Sequence, residues 1–112
     1  MKILYHTIHH VDSLFFALLE SDKINHKLSD NEKNIIYNVI KQYEQIGTRD
    51  SSDECEIKIN ESDVKVLINL YQRICKENMC KDTMVEHFLD QQKGIMCSFT
   101  YPIAREFGLE LD

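Results

Sequence analysis

Apolar residues recur every three or four positions along several segments of this chain, which is the spacing that keeps side chains on one face of a helix. In the first segment they are Leu4, Ile8, Val11, Phe15 and Leu18. A strand would distribute the same residues over both of its faces, because its side chains alternate. The pattern therefore predicts a fold of packed helices, whose first helix ends in the polar stretch from Ser21 to His26.

The clearest helix signal lies between Ser29 and Gly47. Ser29 and Glu32 have the spacing of a capping box, in which each side chain accepts a hydrogen bond from a backbone N–H of the first turn. Gly47 tolerates the positive φ at which helices commonly end. The predicted apolar face of this helix consists of Ile35, Ile36, Val39, Ile40, Tyr43 and Ile46.

A third helix is predicted to begin after Asn60. Asparagine is a good N-cap, and Asp63 stands at the third helical position, where an acidic residue suits the first turn. The predicted buried face consists of Val64, Leu67, Leu70, Tyr71 and Ile74.

The last third of the chain predicts two shorter helices. Asp82 is the predicted cap of one helix, which ends at Gly94. Residues 95–101 are apolar and rich in strand formers, and both strand and helix remain open for them. Pro102 suits the first turn of a final short helix that ends at Gly108.

Residues 55–59 alternate apolar and charged side chains, which indicates either a short strand or the lead-in to the third helix. We predict a mainly α fold, a compact bundle of four to five helices forming a single domain over residues 1–112. It leaves room for a minor two-stranded pairing of 55–59 with 95–101. An α+β fold with a small sheet is the alternative, and for residues 1–8 both strand and helix remain open.

The length and composition place the chain among small globular proteins. Its 112 residues suit one domain, and its 43% hydrophobic and 29% charged residues are not those of a disordered chain. The longest apolar run, Leu14 to Leu19, is much shorter than the roughly 20 residues that cross a bilayer. The N-terminus has no pattern of a secretory signal. We therefore expect a cytoplasmic protein without a membrane partner.

Motifs of catalysis and nucleotide binding are missing from the sequence. The three glycines are isolated, so no phosphate-binding loop is present, and neither Gly-x-Ser-x-Gly nor His-Glu-x-x-His occurs. Asp12, Glu32 and Asp63 are interpreted as helix caps rather than as catalytic acids. We expect a protein that is not an enzyme and has no cofactor.

The cysteines and histidines raise the question of a metal site. Cys75, Cys80, His87 and Cys97 have the chemistry of zinc ligands, but four, six and nine residues separate them, whereas structural zinc sites use close pairs. His6 and His10 share a helix face, with no third ligand placed by the pattern. We expect no metal, with Cys75 and Cys97 in the core and all four cysteines, including Cys55, as free thiols. A small zinc-binding protein remains an alternative function.

The charge of the chain is its strongest functional signal. Nineteen acidic against thirteen basic residues give a net charge of −6, which disfavours nucleic acid as a partner. The densest acidic stretch contains Asp50, Asp53, Glu54, Glu56, Glu61 and Asp63. Such a stretch can attract a basic protein, although many charged runs only keep a loop solvated.

We therefore expect a small acidic inhibitor that covers the active site of a basic protein, such as a nuclease-type toxin. Bacterial immunity proteins, antitoxins and phage-encoded inhibitors have this size and charge, but no motif is shared. Tyr37 and Tyr101 are the tyrosines outside the predicted core and are candidate anchors. The expected state is a monomer or weak dimer, and a helical adaptor or oligomerisation module is the remaining alternative.

Overall fold

The computed structural model describes residues 2–76 and 86–109, without the side chains of Asn25 and of residues 86–92. Over these residues four helices and two short strands follow one another along the chain. They are β1 (Lys2–Leu4), α1 (Tyr5–Asn25), α2 (Asp30–Ile46), β2 (Glu54–Glu56), α3 (Glu61–Lys76) and α4 (Glu86–Glu106). The predicted mainly α fold with a small sheet is confirmed. The predicted cap at Asp82 lies outside the described residues.

The core lies where the helices meet, with α4 packed against both α3 and α1, and α2 packed against α1 and α3. At its centre the rings of Phe15 and Phe99 meet edge to face, with centroids 5.9 Å apart and planes at 88°. Both side chains are fully buried. Burial of a side chain of this size stabilises a fold by about 1.5–3 kcal/mol, so this pair is a main link between α1 and α4.

The small sheet joins the N-terminus to the middle of the chain. β1 and β2 are antiparallel, and Ile3 faces Cys55 with both side chains buried. Residues 54–56 thus form a strand, but the pairing of 55–59 with 95–101 is wrong. The partner strand is Lys2–Leu4, and residues 95–101 are helical.

The observed helix α4 differs from the prediction for the end of the chain. It runs without interruption through Gly94 and Pro102, so neither a helix end at Gly94 nor a new helix at Pro102 exists. Met96, Phe99 and Ile103, spaced by three and four, are all fully buried. Their burial contributes about 1.5–3 kcal/mol each, which outweighs costs of about 1 kcal/mol for a helical glycine and about 3 for a proline.

The first residue of the predicted apolar face of α1, Leu4, lies outside the helix. The helix begins at Tyr5, and Leu4 precedes it with 47% of its surface exposed. The extended conformation of β1 buries Ile3 instead, because successive strand residues point to opposite faces.

The end of α1 buries part of the predicted polar turn. The helix continues to Asn25 and encloses Asp22, which is almost fully buried. The Asp22 carboxylate accepts a hydrogen bond from the backbone N–H of Leu28 at 2.8 Å and lies 3.5 Å from the ammonium of Lys33. These polar residues therefore fix the connection between α1 and α2.

The starts of α2 and α3 confirm the local predictions. The Ser29 hydroxyl accepts from the Glu32 N–H at 3.1 Å, and the Glu32 carboxylate accepts from the Ser29 N–H at 2.9 Å. The Asn60 side chain accepts from the Asp63 N–H at 2.8 Å. Glu32 has a second partner that the sequence did not predict, since Arg73 of α3 donates to both of its carboxylate oxygens at 2.7 and 2.6 Å.

Candidate partner-binding surface

The acidic loop, which we define as residues 50–54, is anchored on the N-terminus of α1. That helix has no side-chain cap, and its first N–H groups are satisfied by the loop instead. The N–H of Tyr5 donates to the carbonyl of Asp53 at 2.7 Å, and the N–H of His6 donates to the carbonyl of Ser51 at 3.2 Å. The loop is thus held in one position by backbone bonds, although its sequence shows no regular pattern.

The carboxylates of this loop face solvent. Asp50, Asp53 and Glu54 are exposed, and within the described ranges no ion pair joins any of them to a lysine or arginine. One Asp53 oxygen accepts the N–H of Asp50 at 3.1 Å, so this side chain also holds the turn together. Glu61, in the first turn of α3, is likewise exposed. These four residues carry most of the predicted acidic surface.

Glu56 and Asp63 lie in a different setting from the acidic loop. Both line an open groove of about 740 Å³ beside α2, together with Gln42 and Lys58. The Gln42 side chain holds the backbone of Lys58 through two hydrogen bonds of 2.8 Å. A hydrogen bond and the charge of the α-amino group, then Lys2 and Lys58, lower the pKa of Glu56. The charge of Glu56 is therefore offset by the chain itself.

The two candidate tyrosine anchors lie on different helices. Tyr37 is on α2 with 56% of its surface exposed, and Tyr101 is on α4 with 49% exposed. The guanidinium of Arg105 lies over the Tyr101 ring, 4.8 Å from its centroid. Tyr101 therefore presents a cation beside its ring, which suits a basic partner less well than the open ring of Tyr37 does.

A polar aromatic cluster between α1 and α2 was missed by the sequence reasoning, which placed Tyr43 in the core. The Tyr43 hydroxyl lies 2.6 Å from Nδ1 of His9 and 3.2 Å from the Tyr5 hydroxyl. The hydrogen bond with Tyr5, followed by burial, raises the pKa of Tyr43 to about 12. The spacing of Tyr5 and His9, four residues apart on one helix, was the available signal.

Asp12 has a role other than the predicted cap, since it lies in the middle of α1. Partial burial, followed by the negative charge of Glu44 on α2, raises the pKa of Asp12, while His9 lowers it. In the described part of the chain neither carboxylate forms an ion pair. The two carboxylates therefore repel each other between the two helices.

Replacing Asp12 by asparagine should stabilise the fold. Because the pKa of Asp12 is raised in the folded chain, the ionised form costs stability above its ordinary pKa of 3.8 and costs nothing well below it. We expect a gain of about 0.2–0.5 kcal/mol near pH 7 that vanishes near pH 3, as for other solvent-screened charges. Urea unfolding at both pH values measures it. A less stable variant near pH 7 would contradict the assignment.

The predicted metal ligands are only partly described. Cys80 and the side chain of His87 lie outside the described residues. Cys75 is exposed, so its prediction as a core residue is wrong, and Cys97 is half-buried. A hydrogen bond with Cys97, burial and the nearby Cys75 raise the pKa of Tyr71 to about 12. The zinc alternative thus stays a prediction.

The N-terminal histidines form a second possible ligand group. The rings of His6 and His10 contact each other edge to face, with their centroids 4.3 Å apart. Together with Ser98 of α4 they line a groove of about 450 Å³. Burial, then the neighbouring His6 and His9, lower the pKa of His10. Among the side chains described, no three of histidine, cysteine, aspartate or glutamate are grouped to hold a metal.

Among the helices as described, none combines the length and apolar character needed to cross a bilayer. Comparison with family models, curated proteins and solved structures finds no match to this chain.

Proposed function

We propose that this chain is a stoichiometric inhibitor that binds a basic protein, of the kind that immunity proteins and antitoxins exemplify, and covers the partner's active site. In this proposal the chain catalyses no reaction. The observation that carries it is the acidic loop, whose carboxylates are exposed and form no ion pair among the described residues, and whose backbone is held at Ser51 and Asp53.

The fixed position of the loop favours binding over mere solvation. A flexible acidic loop would lose conformational entropy on association, which weakens binding. Here the bonds from Tyr5 and His6, together with the pairing of β1 with β2, already order residues 51–56. A partner therefore meets carboxylates carried on a backbone that is already ordered.

The overall charge supports the same function. A net charge of −6 on 112 residues attracts basic proteins over a distance of about a Debye length, roughly 8–10 Å. Complementary charge of this kind raises association rates by about 10- to 1,000-fold. An inhibitor that must capture a toxic enzyme quickly benefits from this effect more than from additional contact area.

The proposal predicts that reversing two loop charges slows partner capture. Asp50→Lys with Glu54→Lys is the preferred pair, because the Asp53 carboxylate also holds the turn. In lysate from the native cell, the wild-type chain should recover one basic protein in a 1:1 complex. The double variant should associate with that protein at least about tenfold more slowly at low salt.

The matched control carries two charge reversals away from the loop, Glu20→Lys and Glu106→Lys, both at exposed helix positions. It has the same net charge as the loop variant, so a difference between the two isolates the position of the charges. Equal slowing by both variants, or capture of an acidic partner by the wild-type chain, would contradict the proposal.

A further inference from the structure

Two exposed aromatic residues stand on the neighbouring helices α1 and α2. Phe16 has 60% of its surface exposed and Tyr37 has 56%. A single exposed apolar side chain is ordinary on a protein surface, whereas a group of them at one place indicates a binding surface. The first question is therefore whether these two residues lie together.

The register of the two helices shows which residues lie at the same level along the helix axes. α1 and α2 are antiparallel, because His9 near the start of α1 contacts Tyr43 near the end of α2, and Asp22 contacts Lys33. Counting in opposite directions between these two contacts brings Phe16 level with residues 36–39 of α2. Tyr37 is the exposed aromatic residue in that segment.

The helical repeat shows which side of each helix Phe16 and Tyr37 occupy. Phe16 stands seven residues after His9 and four after Asp12, so the three share one face of α1. Tyr37 stands four residues after Lys33 and seven before Glu44, so these share one face of α2. Lys33 and Glu44 both interact with α1, through Asp22 and Asp12. Phe16 and Tyr37 therefore flank the line where the two helices meet, which we name the α1–α2 seam.

The charges along the seam indicate what covers it. Asp12 and Glu44 stand within electrostatic reach of each other across the seam, and the described residues supply neither with an ion pair. A lysine or arginine of a partner placed between them would relieve this repulsion. A second copy of the chain would instead bring the same acids face to face in a symmetric interface.

The seam also continues into the acidic loop. Tyr5, the first residue of α1, contacts Tyr43 in the seam through its ring and hydroxyl. The backbone N–H of the same residue binds the carbonyl of Asp53 in the loop. From Tyr5 to Phe16 the seam extends about 16 Å, which is the length of three helical turns.

We propose that the α1–α2 seam binds one amphipathic helix of the basic partner, whose apolar side chain packs between Phe16 and Tyr37. A lysine or arginine about one to two turns away on that helix binds Asp12 and Glu44. Two antiparallel helices form a groove that a third helix fills in many bundles and helix-in-groove complexes. This inference rests on the proposed function and names the surface that anchors the partner.

The test uses a labelled synthetic helix as the probe, about 18 residues long, with leucines on one face and lysines beside them. Fluorescence anisotropy measures its affinity, and amide chemical shifts of the full chain map where it binds. Phe16→Ser with Tyr37→Ser should weaken binding at least about tenfold, as the loss of two anchors does. Ile24→Ser, which removes an apolar side chain that is 70% exposed and lies outside the aromatic pair, should change it little.

A second variant tests the charges separately from the aromatic pair. Asp12→Asn with Glu44→Gln should weaken binding severalfold and reduce its salt dependence, while leaving the fold intact. Shifts centred on the seam support the proposal. Shifts centred on the groove of Asn38 and Gln42, equal affinity of all variants, or a dimer that forms through the seam would overturn it.

The outcome also separates this inference from the proposed function. If the seam variants abolish probe binding but the Asp50→Lys and Glu54→Lys variant captures the native partner normally, the loop proposal fails and the seam stands. If the loop variant slows partner capture and the probe does not bind the seam, the seam proposal alone fails.

Discussion

Replacing Phe15 by alanine should lower the free energy of unfolding by about 3–5 kcal/mol. The ring is fully buried and meets Phe99 edge to face across the contact between α1 and α4. Truncation removes that contact and leaves a cavity that close-packed neighbours fill only in part. Because small domains are stable by about 5–15 kcal/mol in total, this variant should be partly unfolded at modest urea concentrations.

The neighbouring Phe16 is the matched control, since it is the same residue type with 60% of its surface exposed. Phe16→Ala should change the free energy of unfolding by no more than about 0.5 kcal/mol. Urea denaturation followed by circular dichroism measures both variants. Similar losses of unfolding free energy for the two variants would contradict the placement of α1. Phe15 and Phe16 lie about 100° apart around the helix axis, so only one of them can face the core.

Replacing Arg73 by methionine should cost about 1–3 kcal/mol, less than for a fully buried ion pair because the Arg73 side chain is 34% exposed. Its guanidinium binds both oxygens of the Glu32 carboxylate, which is only 6% exposed. It also donates to the carbonyl of Lys27 in the connection between α1 and α2. Without Arg73 the Glu32 carboxylate stays buried with only the backbone N–H of Ser29 as a partner, which is the costly situation.

A double variant separates the buried charge from the lost side chain. In Arg73→Met with Glu32→Gln the charge is absent, and glutamine still completes the capping box with Ser29. The double variant should therefore recover a large part of the stability that Arg73→Met loses, as thermal and urea unfolding would show. A double variant that is less stable than Arg73→Met would contradict this account.

The helices that the sequence predicted well are those whose signals are local. The capping box of Ser29 and Glu32 and the cap at Asn60 each lie within one turn of the chain, and the apolar faces of α2 and α3 repeat every three or four residues. Local signals survive folding when tertiary contacts support them, as they do here.

The parts that the sequence predicted poorly depend on contacts between distant residues. The strand at Cys55 had a visible alternation, but its partner Ile3 could not be read from it, because pairing is set by the fold. In α4 the burial of Phe99 and Ile103 outweighs the local preferences of Gly94 and Pro102.

In the candidate surface, too, the sequence predicted neighbours along the chain but not contacts between distant residues. The sequence grouped six acids because they are close along the chain, whereas in the structure Glu56 and Asp63 line the groove beside α2 and the loop acids do not. It also brings Asp12 and Glu44 together, which are 32 positions apart. Distance along the sequence is a poor guide to a surface built from several helices, so the seam could not be predicted.

The repulsion between Asp12 and Glu44 agrees with the proposal that the seam binds a basic partner. Like charges at close range cost a folded chain a few tenths of a kcal/mol, and removal of one charge should stabilise it. Proteins depart from locally favourable choices mainly at functional or strained sites.

The most direct test of the central claim is the association rate with the captured partner as ionic strength rises, for the wild-type chain and the Asp50→Lys and Glu54→Lys variant. If the acidic loop attracts a basic protein, the wild-type rate falls steeply with salt. The variant is slower at low salt, and the two rates converge at high salt. Rates that are equal for the two chains and independent of salt would contradict the account.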